Sequence, residues 1–298
     1  MPAPETKPGL SKAAILLRRT VSSLLLWTIV LVAIFSENRL ISDYFFLCVM
    51  LLLAGAGLAE FYDLVGRRNL VCFKGWGIFG GLLLMVSTFA YLSPRVPAAK
   101  ANDFETSFLI LFVLGLCLRQ FLSRSNPAGL LAISTTLFGL MYVPWLLNFV
   151  QKINFFPHIN GRFYVLYFIL VTKFSDMGAY LIGSLFGRHK MIPRISPGKT
   201  WEGFGGAIGL SVLASLAFAH FARRELTGMN AIHALILGLI LGSAAVLGDL
   251  IESLFKREAG VKDSGRLFPG IGGILDLMDS LLFNAPLMYL YLRHVLTN

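Results

Sequence analysis

With 298 residues, 56% of them hydrophobic and 14% charged, and a mean hydropathy of +0.72, the chain is far too apolar for an ordinary soluble domain. A net charge of +10 would suit a nucleic-acid binder, but the basic residues are scattered over short loops and form no single stripe, which excludes that class. Cys48, Cys72 and Cys117 lack CxxC spacing and fall in or beside apolar segments, so they indicate neither a disulfide frame nor a zinc site.

A bilayer core about 30 Å thick takes roughly 20 apolar residues per helix. The predicted fold class is therefore an all-α integral membrane protein, a polytopic bundle of about nine transmembrane helices forming one domain over residues 1–298. Residues 1–18 read as a polar tail with Lys7, Lys12 and Arg18. The apolar run 21–35 ends in Ser36-Glu37-Asn38-Arg39 with no small-x-small cleavage site, which predicts an uncleaved first helix. Further spans are expected near 43–63, 75–93, 105–122, 129–151, 163–186, 202–222, 231–251 and 273–292. With the N-terminus inside, about two-thirds of the Lys and Arg fall on the same side as the tail. That expectation places the loops 187–200 and 252–272 in the cytoplasm, at the inner membrane if the source is bacterial. The glycine pairs Gly77/Gly81, Gly205/Gly209 and Gly238/Gly242 are expected to let helix backbones approach closely in lipid.

Several motifs fail on context. Gly75-Trp76-Gly77-Ile78-Phe79-Gly80 matches GxGxxG but lies in an apolar span with no βαβ unit around it. Pro197-Gly198-Lys199-Thr200 looks like the end of a P-loop, yet Pro193 stands where that loop requires Gly. The histidines show no HExxH or other ligand pairing, which disfavours catalytic zinc.

Charge is instead concentrated in the C-terminal half, over 163–292, where an ionised group beside lipid costs several kcal/mol unless paired, hydrated or metal-bound. Lys173 and Asp176 stand three apart and share a helix face. The loop after them offers Arg188, Lys190, Arg194 and Lys199 with the hydroxyls of Ser196 and Thr200, and a helix starting near Thr200 would add free N–H groups for a phosphate. From Gly248 to Ser280, Asp249 and Ser253 are four apart and Asp276 and Asp279 three apart. Hard carboxylate oxygens at such spacing suit one or two Mg²⁺ ions, with Asp249, Asp276 and Asp279 as the expected ligands. Lys256, Arg257, Lys262 and Arg266 lie between these two pairs as phosphate donors.

These residues resemble the phosphatidate cytidylyltransferase (CDP-diacylglycerol synthase) family. Its signature S-x-x-K-R-x4-K-D-x-[GSA]-x2-[LIF]-[PG]-x-H-G-G-x-x-D-R-x-D lies over Ser253 to Asp279, with Lys256, Arg257, Lys262, Asp263, Gly265, Phe268, Pro269, Gly272, Gly273 and Asp276 in register. A second recurrent motif runs from Asp176 through Ala179-Tyr180 and Gly187 to Ser196-Pro197-x-Lys199-Thr200-x-Glu202-Gly203. The departures are Ile271 for His and Leu277 for Arg. The resemblance covers roughly 165–285 and leaves the first five spans with hydropathy alone.

It implies a membrane nucleotidyltransferase that takes CTP and phosphatidic acid among membrane lipids, with no nucleic acid, and gives CDP-diacylglycerol and pyrophosphate. Asp249, Asp276, Asp279, Lys256 and Arg257 would be catalytic, and Asp176, Ser196, Lys199, Thr200, Glu202, Ser253, Lys262 and Asp263 would bind substrate. A cytidylyltransferase for another phosphorylated lipid, an inactive relative and an ion-coupled transporter are the alternatives; the sequence leaves the oligomeric state open, a homodimer included.

Overall fold

The computed structural model describes residues 27–28, 31–32, 38–92, 99–123, 128–265 and 272–297. The 1–18 tail, most of the expected first span and the segment Arg266–Ile271, with Phe268, Pro269 and Gly270, lie outside the described residues.

From residue 38 onward, nine α-helices follow in chain order among the described residues: α1 (Arg39–Arg67), α2 (Lys74–Leu92), α3 (Ala99–Leu122), α4 (Gly129–Leu140), α5 (Leu146–Asn154), α6 (Gly161–Phe186), α7 (Trp201–Phe221), α8 (Ala231–Glu258) and α9 (Ile274–Tyr291). A wide π turn, Met141–Trp145, carries α4 into α5, because Pro144 has no N–H for the α-helical ladder and the turn expands around it. The two therefore act as one span, Gly129–Asn154. Asn38, Thr200 and Asn230 cap α1, α7 and α8 by accepting from first-turn N–H groups, which fixes where those helices start.

Among the described residues, seven segments are long and apolar enough to cross a bilayer. The expected count of nine is not matched. Most of the expected first span falls outside the described residues, and α9 forms where the sequence placed it but is not one of the seven. Asp276, Asp279, Asn284 and Pro286 lower its hydropathy, and it is the interior element of the bundle: Leu275, Met278, Leu282, Ala285 and Met288 are buried against α1, α5, α6 and α8. A helix wrapped by protein can keep polar side chains that lipid would reject.

The aromatic and aliphatic core joins both halves of the chain, with Leu58, Phe61, Val143, Tyr164, Phe168, Leu241, Met278 and Leu282 in one cluster. Close helix contacts use some of the expected glycines and not others. Gly81 faces Leu58 and Pro144, and Gly238 faces the Val212 backbone. Gly205 and Gly209 face open space, however, and α6 meets α7 through Gly178, Gly203 and Gly206. The loop expected over 187–200 is an ordered hairpin, β1 (Lys190–Ile192) antiparallel to β2 (Ser196–Thr200), with Lys190 opposite Thr200 and Ile192 opposite Ser196.

Candidate active site

The hairpin, α6, α8 and the start of α9 meet at one end of the bundle. Thr200 ends β2 and caps α7 through a 3.1 Å bond from the Gly203 N–H to its Oγ1. Glu202, one residue into α7, accepts from the backbone N–H groups of Arg188 and His189 and lies 2.6 Å from His189 Nδ1. It therefore ties down the root of the hairpin. The other edge is held by Arg257, whose Nε donates to Ile195 O at 3.0 Å. Between these anchors Lys199 reaches α8, with Nζ 2.8 Å from Asp249 Oδ2 and 3.2 Å from Val246 O.

Below Lys199 the carboxylates converge. Asp249, Glu252 and Asp279 each offer an oxygen within 4.8 Å of the others. Glu252 is fully buried and Asp279 nearly so. Ser253 Oγ approaches Asp249 Oδ1 at 3.4 Å, while Ser280 donates from both N–H and Oγ to Asp279 Oδ1. Glu252 pairs ionically with Lys256, yet neither of its oxygens has a hydrogen bond of normal geometry.

This trio is not the expected one, because Asp276 faces elsewhere. Its Oδ1 accepts from Lys256 Nζ at 2.7 Å, and its Oδ2 accepts from Ser264 N–H, Ser264 Oγ and Gly273 N–H at 2.8–3.0 Å. Residues three apart on a helix are offset by about 60°, so one can face a neighbouring loop while the other faces the interior. Glu252 takes the place that the sequence reading gave to Asp276. Its position, three after Asp249 and four before Lys256, was the available signal.

The remaining expected residues divide. Lys173 bonds Asp176 Oδ2 at 3.2 Å, as the three-residue spacing predicted, and also reaches Leu277 O at 3.4 Å. Asp176 Oδ1 accepts from Ser280 Oγ at 3.2 Å, which links α6 to α9 beside Asp279. Lys262 and Asp263 are exposed beyond the end of α8, apart from the acidic trio's hydrogen bonds. One carboxylate outside the signature was missed altogether: Glu60 of α1 accepts from the N–H groups of Ile274 and Leu275 at 3.0 and 2.9 Å. An acidic residue inside an apolar span was its only sequence signal.

A cleft of about 330 Å³ opens between the hairpin and α6, α7 and α8, and Asp176, Ser196, Lys199, Thr200 and Asp249 line it with polar groups. Three carboxylates around one Mg²⁺ at roughly 2.1 Å would have oxygens no more than about 4.2 Å apart. The trio's oxygens, within 4.8 Å of one another, would draw together around such an ion. The donor set is all hard oxygen, and Glu252 Oε1 is buried without a hydrogen bond or an ion pair, so the residues fit such an ion.

A model of the cytidylyltransferase family matches residues 17–295. The uncharacterized protein YnbB of Escherichia coli K12 is 40% identical over 162 residues, covering 53% of this chain and 51% of that protein. The phosphatidate cytidylyltransferase of Staphylococcus aureus COL is 48% identical over 133 residues, 45% of this chain and 50% of the relative. That of Staphylococcus saprophyticus is 34% identical over 221 residues, 72% and 80% of the two chains. The matched stretch thus spans about half the length of the first two relatives. A family match running through the described helices and the acidic site alike bears out the resemblance read from the signature: the chain belongs to the cytidylyltransferase family.

Proposed function

We propose that this chain joins CTP to phosphatidic acid, giving CDP-diacylglycerol and pyrophosphate, at a site facing the cytoplasm. The observation that carries this reading is the meeting of a cation-bearing cleft with a buried acidic trio at one end of a lipid-embedded bundle, Lys199 and Asp249 touching at the seam. The family and the names of two relatives support the choice of substrates. The basic hairpin and the Lys256–Lys262 segment at the same end support the cytoplasmic side.

In the reaction a phosphate oxygen of phosphatidic acid attacks the α-phosphorus of CTP, a new P–O–P bond forms, and the bond to the β-phosphate breaks to release pyrophosphate. Mg²⁺ held by Asp249, Glu252 and Asp279 would neutralise the reacting phosphates. Lys199 exchanges its contact with Asp249 for a phosphate oxygen, which costs little because both partners are charged oxygens at a partly open position. Arg257 and Lys262 gather the outgoing phosphates, and Arg257 also keeps the hairpin over them. Lys256, clasped by Glu252 and Asp276, orients those two carboxylates. Asp176 and Ser280 set the side of the cleft next to Asp279. Catalysis is positioning and charge neutralisation, without a covalent enzyme intermediate.

The test is incorporation of labelled CTP into lipid by the purified protein, with phosphatidic acid compared against other phosphorylated lipids and against excess chelator. Label entering phosphatidic acid in a chelator-sensitive way is expected. A folded protein that labels none of these lipids would refute the activity, and preference for another acceptor would reassign the substrate.

A further inference from the structure

Glu60 sits on α1, more than two hundred residues before the turn it touches. Its Oε1 accepts from Ile274 N–H at 3.0 Å, and its Oε2 accepts from Leu275 N–H at 2.9 Å and from Ser264 Oγ at 3.1 Å. These N–H groups are the first of α9, where a helix has donors without partners of its own and the positive end of its dipole. From the other side Asp276 takes Ser264 N–H, Ser264 Oγ and Gly273 N–H. Two carboxylates thus share the single Ser264 hydroxyl proton and hold one helix start.

The glycines of the turn report how tight this grip is. A Cβ on Gly265 would overlap Glu60 Oε1, and one on Gly273 would overlap both Glu60 Oε2 and Ser264 Oγ. Gly272 has φ +118, a conformation that side-chain-bearing residues rarely adopt, with Asp276 against it. The space that these glycines leave is filled by the Glu60 carboxylate. Asp279 follows less than two turns into α9, so the height and rotation of that helix start set where its oxygens lie relative to Asp249 and Glu252.

We infer that Glu60 is a positioning residue: by bracing the start of α9 from the N-terminal half of the chain, it holds Asp279 in register with Asp249 and Glu252. This rests on the acidic trio being the metal-binding site of the proposed reaction. The N-terminal helices thereby have a specific part in the site beyond forming a lipid-facing wall.

The experiment uses the full-length protein in detergent or lipid nanodiscs with Glu60→Gln, which keeps the shape but puts an amide donor against N–H groups that need an acceptor. Asp63→Asn is the control, one turn on in α1, where Asp63 pairs with Lys74 at the exposed surface. Two quantities are read: the Mg²⁺ concentration for half-maximal turnover, and amide exchange over 264–280 with and without Mg²⁺. Glu60→Gln should raise the Mg²⁺ requirement about tenfold, the scale of one lost charge-assisted hydrogen bond. It should also speed exchange at Ile274 and Leu275, with an unchanged CTP KM at saturating Mg²⁺. A residue important only for folding would lower the folded yield and leave the Mg²⁺ requirement of the folded fraction unchanged; that result overturns the inference.

If Glu60→Gln does not fold, Ser264→Ala removes one arm of the brace, and an unshifted Mg²⁺ requirement there overturns it equally. If the wild type labels no lipid, the proposed reaction falls, while the exchange measurement still reads the brace. Mg²⁺-dependent protection of 274–280 that is weakened by Glu60→Gln would then uphold it, and its absence would end it.

Discussion

Two regions of this bundle bury charged side chains, and they do so in opposite ways. Toward the far ends of α2, α3 and α5, Lys152 pairs with Glu105, Asn148 bridges Glu105 and Thr88 at 2.9 Å each, and Gln151 donates to Asn148 and to Met85 O. Lys152 also lies 4.6 Å from the Phe149 ring centre and 5.4 Å from that of Tyr289. One acid meets one base and the set is closed inward, with Gln151 Oε1 as its unpartnered buried oxygen. At the site end, Asp176, Asp249, Glu252, Asp276 and Asp279 stand against Lys173, Lys199 and Lys256, and the cluster opens into a cleft. A balanced, closed network is what a membrane protein uses to hold helices together; an acidic excess beside a cleft is where the proposed cation would be held.

That contrast breaks first at the trio. Asp249→Asn, Glu252→Gln and Asp279→Asn each keep shape and remove charge, and each should lower turnover by about 10³-fold or more at unchanged folded yield, comparable to losing a principal electrostatic group of an active site. Full activity in any one, measured as labelled CTP entering lipid, would remove that residue from the ligand set. Asp276→Asn is the discriminating companion: it should lose thermal stability along with activity, because four donors lose a charged acceptor.

Lys199→Ala tests the cleft side of the comparison. Turnover at limiting CTP should fall by about 10²-fold, the worth of roughly two charge-assisted contacts, with folding preserved because the side chain sits at a partly open position. Unchanged turnover at limiting CTP would return Lys199 to a purely structural partner of Asp249.

The far network should answer in the opposite sense. Glu105→Gln strands the buried Lys152 ammonium and should cost about 3 kcal/mol of stability, and Glu105→Gln with Lys152→Met should recover much of it. Activity per folded molecule should stay constant in both. A melting series in detergent with turnover measured on the folded fraction decides this, and a selective loss of turnover would mean that the two regions are coupled. The smallest effect is expected at Thr200→Ala, which removes the α7 cap and should cost about 1 kcal/mol, with Thr200→Ser restoring it.

Much of this molecule is legible in its sequence. The spans expected near 75–93, 163–186 and 202–222 are helices at 74–92, 161–186 and 201–221, because the bilayer imposes a length of apolar chain that hydropathy reads directly. The Lys173–Asp176 pair followed from three-residue spacing, and the ordered signature from Ser253 to Asp279 pointed to the family on its own. These are local properties: each depends on residues within a few turns of one another.

What the tertiary structure alone decided is which carboxylates meet. Spacing put Asp276 and Asp279 on one helix face, but only the packing of α9 sends Asp276 to the Ser264 turn and Asp279 to Asp249 and Glu252. Spacing likewise allowed Gly205 and Gly209 a packing role that the rotation of α7 gives to Gly203 and Gly206. Glu60 escaped the sequence reading because its partners at Ser264, Ile274 and Leu275 lie more than two hundred residues away. The helices, their family and the chemistry their side chains can supply follow from the order of residues, because hydrophobicity and helical period act along the chain. The relative height and rotation of α1, α8 and α9 are set by how their side chains interlock across it, and that alone selected the trio and its brace.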